Sequence, residues 1–175
     1  MNESKIYVGL INPKTPDNVN SVMRAAGNFQ VASVFYTGKR YPRALMRNPD
    51  IPDMRRNVGR AIPLTETTDL MDSVPAGMKV VCVEFAENAI ALPEYQHPDS
   101  AFYFFGPEDG TISQDIIDRA NAVVYVPTIG CMNLAAPLNV LLYHRSAQSY
   151  QPLERNALIS QSRDTNHNRK LNSES

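Results

Sequence analysis

Ala101-Phe102-Tyr103-Phe104-Phe105-Gly106-Pro107-Glu108-Asp109-Gly110 decides the fold class, because an apolar run passes into a turn with no polar alternation along the way. A strand with one wet face alternates apolar and polar side chains; a strand apolar on both faces must be covered from both sides. Parallel sheets meet that condition, since each crossover lays a helix over one face or the other. Gly106 allows close backbone approach, Pro107 stiffens the turn and Gly110 can take positive φ, so the chain can leave a strand here and enter a helix with Glu108 at the strand edge. A tight turn with a solvated acidic pair accounts for these residues equally well when they are taken alone.

The same pattern repeats along the chain. KIYVGLI (5–11), VASVFYT (31–37), AIPL (61–64), MKVVCVEF (78–85), AFYFFG (101–106) and AVVYVP (122–127) read as strands. Between them NVNSVMRAAGNF, PDMRRNVGR, TTDLMDSV and SQDIIDRA read as helices, and a last helix runs from near Asn133 to about Ser149. Val19, Val22, Met23 and Ala26 share one stripe of the first helix, which should face the sheet. Asp17 or Asn18 can cap that helix and Ser113 the one starting at Gln114. Pro137 should kink the last helix or confine it to its C-terminal part. The expected class is α/β, a mostly parallel sheet with helices on both faces. Residues 1–150 are expected to form one domain, and the polar, Ser/Asn-rich stretch 151–175 reads as a flexible tail.

At 175 residues with 43% hydrophobic and 20% charged content, the chain can bury a core without disulfides or metal. No apolar run approaches a membrane span and the first residues lack a signal-peptide pattern, so a cytoplasmic location and no membrane partner are expected. Two cysteines, Cys82 and Cys131, make a disulfide framework implausible. No phosphate loop, dinucleotide fingerprint or metal-ligand spacing occurs, and His97, His144 and His167 are scattered, so no metal is expected. A formal net charge of -1 gives no global attraction for nucleic acid, so any nucleic acid must meet a local basic surface or one assembled between subunits. Tyr41, Arg43, Arg47, Arg55, Arg56 and Arg60 form the densest such stretch; a solvated helix face is the default reading, and phosphate contact is the functional one.

Two further strand ends carry polar residues suited to chemistry. Pro16-Asp17-Asn18-Val19-Asn20-Ser21-Val22-Met23-Arg24-Ala25 follows the first strand, and its long Arg24 side chain can lean back toward Asn18. Val126-Pro127-Thr128-Ile129-Gly130-Cys131-Met132-Asn133-Leu134-Ala135 leaves another strand for a helix N-terminus. Read singly, Asn18 and Asn133 are caps, Arg24 is an exposed helix residue and Cys131 is a small buried hydrophobe.

Together, in this order, the three stretches resemble the SpoU/TrmH family of the SPOUT methyltransferases, over about Lys5 to Tyr143. Pro16, Asn18 and Arg24 match the family's first motif, with Asn20 in place of its glycine; Gly106-Pro107-Glu108 and Gly110 match the second. Val126-Pro127 followed by Cys131-Met132-Asn133-Leu134 is similar to the third, with Cys131 where serine is usual and a shorter preceding loop. The resemblance implies a deep C-terminal trefoil knot (the SPOUT fold), S-adenosyl-L-methionine as cofactor, a homodimer, and tRNA or rRNA rather than DNA as partner. It implies transfer of a methyl group to a ribose 2′-hydroxyl, with cofactor contacts at Glu84, Gly106, Val126 and Cys131. It also implies Arg24 as the central catalytic residue, with Asn18 holding Arg24 or the ribose, Glu108 anchoring the loops and Asn133 orienting the substrate. A guanidinium is a poor proton acceptor, so Arg24 is assigned to grip a phosphate and orient the hydroxyl. Two other readings stay open: a knotted RNA-binding or cofactor-sensing protein without methyl transfer, suggested by Cys131 and the short loop, and a small-molecule methyltransferase, suggested by the neutral charge.

Overall fold

The computed structural model describes residues 4–50, 59–151, 158–159 and 161. Seven strands form one all-parallel sheet: β1 (Ile6–Leu10), β2 (Ser33–Tyr36), β3 (Leu64–Glu66), β4 (Lys79–Val83), β5 (Ile90–Ala91), β6 (Ala101–Phe105) and β7 (Ala122–Tyr125). Their order is β3-β2-β1-β6-β4-β7-β5. The described helices are α1 (Pro16–Asn28), α2 (Arg40–Arg47), α3 (Gln114–Arg119) and α4 (Ala135–Gln148), with 3-10 turns at Met71–Ser73 and Leu92–Glu94.

Strand β6 lies at the centre, and all five of its residues are buried. Side chains alternate across a sheet, so Ala101, Tyr103 and Phe105 join one core while Phe102 and Phe104 join the other. The first core packs against Val19, Val22, Met23 and Ala26 of α1, the expected stripe, and against Leu138, Leu141 and Leu142 of α4. On the second face Leu70, Ile112, Ile116 and Ile117 cover Phe102, Phe104 and Cys82. Each large side chain taken from water contributes about 1.5–3 kcal/mol, which is why this doubly apolar strand fixes the sheet's centre. Burial, reinforced by the charge of Glu84, pushes the Cys82 thiol up to about 12, so Cys82 acts as a core hydrophobe.

Several local expectations change. Thr15, not Asp17 or Asn18, is the N-cap of α1; its hydroxyl accepts the Asn18 N–H at 3.4 Å, and Pro16 takes the first helical position, where a missing N–H costs nothing. Pro137 falls in the first turn of α4, where N–H groups lack intrahelical partners, so it neither kinks nor shortens the helix. TTDLMDSV yields a single 3-10 turn because Asp69 Oδ1 accepts the Met71 N–H at 2.8 Å and closes the chain locally. The third strand starts at Leu64, past most of AIPL, and the two-residue β5 carried no readable pattern. Ser113 precedes α3 as foreseen but caps through its backbone carbonyl rather than its hydroxyl. Most of the PDMRRNVGR helix, including Arg55 and Arg56, and most of 151–175 lie outside the described residues.

Strand β7 is inserted between β4 and β5, and α4 packs along the segment that returns from β5 to β6. The trefoil knot implied by the resemblance is not itself visible in this structure. What is visible is a polar clasp on that returning segment. His97 Nδ1 lies 2.7 Å from the Tyr103 hydroxyl and His97 Nε2 lies 2.9 Å from His144 Nδ1. Arg145 adds bonds to the Tyr103 hydroxyl and to the carbonyls of Pro98 and Asp99.

Burial first, then the neighbouring His144 and Arg145, lowers His97 from 6.5 to about 4. Between these values the unfolded chain binds a proton that the folded chain excludes. Stability from this group is therefore complete above the unfolded value and is lost as pH falls toward the folded one. Thermal melts from about pH 7 down to about pH 4 should show a steeper loss in the wild type than in His97→Phe; parallel curves would contradict this assignment.

Candidate active site

Register brings the site together. Leu10 and Val83 flank Phe105 on either side, and Val83 pairs in turn with Val124, so the carboxyl ends of β1, β6, β4 and β7 stop at one level. Ligands in open α/β sheets bind outside this edge. The loops leaving it carry all three polar stretches singled out in the sequence.

Glu108 is the hub. Its carboxylate accepts the Lys14 N–H at 3.1 and 2.9 Å, the Thr15 N–H at 3.3 Å and the Asn18 side-chain amide at 3.0 Å. One side chain thereby ties the turn after β6 to the loop between β1 and α1. Burial works to raise its carboxyl, but the Asn18 amide and the backbone N–H groups outweigh it and hold Glu108 below the usual carboxylate range. Glu84 plays a parallel part, accepting the N–H of Phe85 at 3.0 Å and of Ile112 at 2.8 Å. Gly106 sits beneath it: a Cβ there would stand 3.3 Å from Ile112 and 3.4 Å from the Glu84 carboxylate. Gly110 does not take positive φ; it clears Pro107, which a Cβ would approach to 3.0 Å.

A cleft of about 160 Å³ opens beside this hub. Glu84, Gly106, Val126 and Cys131 all line it, as does Glu108. Val83, Phe105 and Leu134 give it an apolar floor, and Phe85 and Tyr125 pair at its rim with ring centroids 5.8 Å apart. Cys131 is exposed rather than buried, since the short loop after β7 carries it away from the core.

Not every expected residue converges. Arg24 is exposed and does not line the cleft, and its side chain makes no hydrogen bond or ion pair among the described residues. It stands six positions after Asn18, about one and two-thirds helical turns, so the two project from different sides of α1 and Asn18 turns to Glu108 instead. Asn133 lies just before Leu134, the N-cap of α4; its Oδ1 accepts the Ala136 N–H at 3.0 Å, and its side-chain NH₂ makes no hydrogen bond among the described residues. Arg43 and Arg47 are exposed on α2, but Tyr41 is buried with its ring edge-on to Tyr36 and belongs to the core.

Sequence reasoning missed the turn Thr37-Gly38-Lys39-Arg40. Arg40 Nε donates to the Asn12 carbonyl at 3.2 Å, and Nη1 donates to both Asp109 oxygens at 2.7 and 3.0 Å. Arg40 above all, with Lys14, holds the Asp109 carboxyl below its usual range. Gly38, at φ 80, lies so close to Asn12 that a Cβ would come within 2.2 Å of Asn12 Oδ1. Gly38→Ala should therefore destabilise the fold by at least about 1 kcal/mol, read from the midpoint of urea unfolding; an unchanged midpoint would show that the turn relaxes freely. A glycine and two cations just after a strand were the available signal, but nothing in sequence linked them to Asn12 or Asp109.

A parallel sheet whose strand-end loops meet around one cleft defines an open α/β protein with its ligand edge at the strand termini. The SpoU rRNA Methylase family matches residues 5–143, and the chain belongs to that family. No curated protein matches it in sequence. The fold is similar to an rRNA methyltransferase from Sinorhizobium meliloti, with TM-score 0.71 and 18% identity over 85% of this chain and 58% of that one. It is also similar to a TrmH/SpoU tRNA modifying enzyme from A. aeolicus, with TM-score 0.69 and 15% identity over 83% and 77%. A third structure, from work on 2-OH methylation of C/U34 on tRNA, gives TM-score 0.69 and 18% identity over 85% and 93%. This chain thus spans little more than half of the Sinorhizobium protein's length.

Proposed function

We propose that this protein is an S-adenosylmethionine-dependent RNA methyltransferase that acts on a ribose 2′-hydroxyl of tRNA or rRNA. The observation that carries the reading is the Glu108 hub, which joins the β1–α1 loop to the turn after β6 beside an apolar cleft. Family membership supports the reaction class. AdoMet-bound relatives and a relative studied for tRNA 2-OH methylation support the cofactor and the position of transfer.

The residues present fit the cofactor. Val83, Val126 and Leu134 offer apolar surface, Gly106 leaves main-chain groups approachable, and Glu84 fixes the cleft wall. When bound, S-adenosylmethionine supplies a methyl group on a positively charged sulfonium. The protein's work is then alignment, which in favourable intramolecular cases supplies about 7–11 kcal/mol. Arg24, exposed and unpartnered among the described residues, grips an RNA phosphate and orients the 2′-hydroxyl. Glu108 and Asn18 keep the loops in place, Asn133 faces the substrate from the turn before α4, and Cys131 would help hold the cofactor at the cleft's rim. Arg43 and Arg47 add phosphate contacts along α2; Arg55 and Arg56 extend that basic stretch in sequence.

The domain at 1–150 acts as a homodimer, a reading supported by exposed Val140 and Tyr143 on one side of α4. Among the described residues no helix is long and apolar enough to cross a membrane, consistent with work on RNA in the cytoplasm. Titration calorimetry with S-adenosylmethionine, followed by tritium transfer to bulk cellular RNA, tests the reading. Binding plus label supports it. Binding without label favours an RNA-binding or cofactor-sensing protein, and neither one contradicts it.

A further inference from the structure

We propose that Arg40 is a positioning residue for methyl transfer, acting as a brace that holds the β1–α1 loop in the shape Glu108 requires; the inference rests on the methyltransferase reading above. The Arg40 guanidinium reaches three partners on two loops that the sheet alone does not join. Nε takes the Asn12 carbonyl, and Nη1 grips both oxygens of Asp109. Nη2 is shut off from solvent, has no hydrogen-bond partner among the described residues and lies 3.6 Å from Glu108 Oε2. Its charge therefore falls on Glu108 rather than on water. A buried donor without a bond is uncommon and marks a group held by its neighbours.

Asn12 shows what is being held. It has φ 44, a left-handed conformation that a non-glycine residue adopts only at a cost, a cost that is lowest for asparagine. Three contacts from the β2–α2 turn keep it there. Thr37 Oγ1 accepts its N–H at 3.2 Å, Gly38 packs against its side chain, and Arg40 takes its carbonyl. Two residues further on begin the N–H groups of Lys14 and Thr15 that Glu108 receives. Without the brace, Asn12 can relax and the Lys14–Asn18 segment can move relative to Glu108. Misplacing a reacting group by about 1 Å can cost about a hundredfold in rate. Arg40 touches neither the cleft nor Arg24, so its effect belongs in turnover rather than in cofactor affinity.

Arg40→Gln in the full chain tests the brace with two readouts, steady-state methyl transfer to RNA and amide exchange at Lys14 and Thr15. The expected result is a kcat lower by about tenfold or more, with the KM for S-adenosylmethionine within about twofold. Exchange at Lys14 and Thr15 should speed up by about tenfold while the core strand β6 stays protected. Arg40→Lys should recover only part of the loss, because a point charge can hold Asp109 without also reaching Asn12. Asp109→Asn, at a half-exposed position, releases the other end of the brace and should shift both readouts in the same direction should Arg40→Gln fail to fold. Wild-type kcat, or unchanged exchange at Lys14 and Thr15, overturns the proposal. If the wild-type protein itself transfers no methyl group to RNA, the methyltransferase reading falls, and the exchange data alone decide whether Arg40 braces the loop.

Discussion

Glu108→Ala is expected to reduce methyl transfer to the limit of detection and to destabilise the fold by about 2–4 kcal/mol, seen as a lower midpoint in chemical unfolding. Truncation strands the N–H groups of Lys14 and Thr15 and the amide of Asn18 at a position where the carboxylate is only 14% exposed. Each donor left without its acceptor costs about 1–3 kcal/mol, less where water can enter, and the edge location keeps the sum toward the lower end. Arg40 loses the carboxylate opposite its buried Nη2 at the same time. Glu108→Gln keeps the shape but halves the accepting capacity, so it should fall between the two. Because the folded carboxyl lies below its ordinary value, the stability it brings is complete above the unfolded carboxylate range and is lost as pH falls through the folded value. An alanine variant with wild-type stability and turnover would show that the two loops hold their positions without this residue.

Arg24→Ala should lower turnover by at least about a hundredfold while leaving both stability and cofactor affinity near wild type. Its side chain is exposed and unpaired among the described residues, so its loss leaves no buried group unsatisfied, and surface changes of this kind stay within about 0.5 kcal/mol. It does not line the cleft, so calorimetry with S-adenosylmethionine should report an unchanged affinity. The informative pairing is kinetics with binding: normal binding with lost transfer places Arg24 on the RNA side of the reaction. Unchanged turnover would remove it from the catalytic assignment.

Fold class was legible because Phe102, Tyr103, Phe104 and Phe105 cannot all be covered unless both sides of the sheet are. The stripe Val19, Val22, Met23 and Ala26 was legible for the same reason, as burial follows the helical period. The four cleft residues Glu84, Gly106, Val126 and Cys131 were reached through the family resemblance, and they do line one cleft. What could not be read were pairings between loops distant in sequence. Nothing local links Asn12 to Arg40 or Asn18 to Glu108, because such bonds depend on the order β2-β1-β6 that brings the strand ends together. Capping was misread for a related reason. Thr15 took the cap of α1, which freed the Asn18 side chain to reach across to the second loop. Tyr41, counted among basic surface residues by its neighbours, is held in the core by Tyr36, a contact across the β2–α2 turn that charge pattern does not reveal.

In the function proposed above, these loops hold a methyl donor against an RNA ribose. Incubating the protein with isotopically labelled S-adenosylmethionine and total RNA, then digesting the RNA to nucleosides for mass spectrometry, tests it directly. Label is expected in 2′-O-methylnucleosides, with none after Glu108→Ala. Label in base-methylated nucleosides, or in no nucleoside at all, would contradict it.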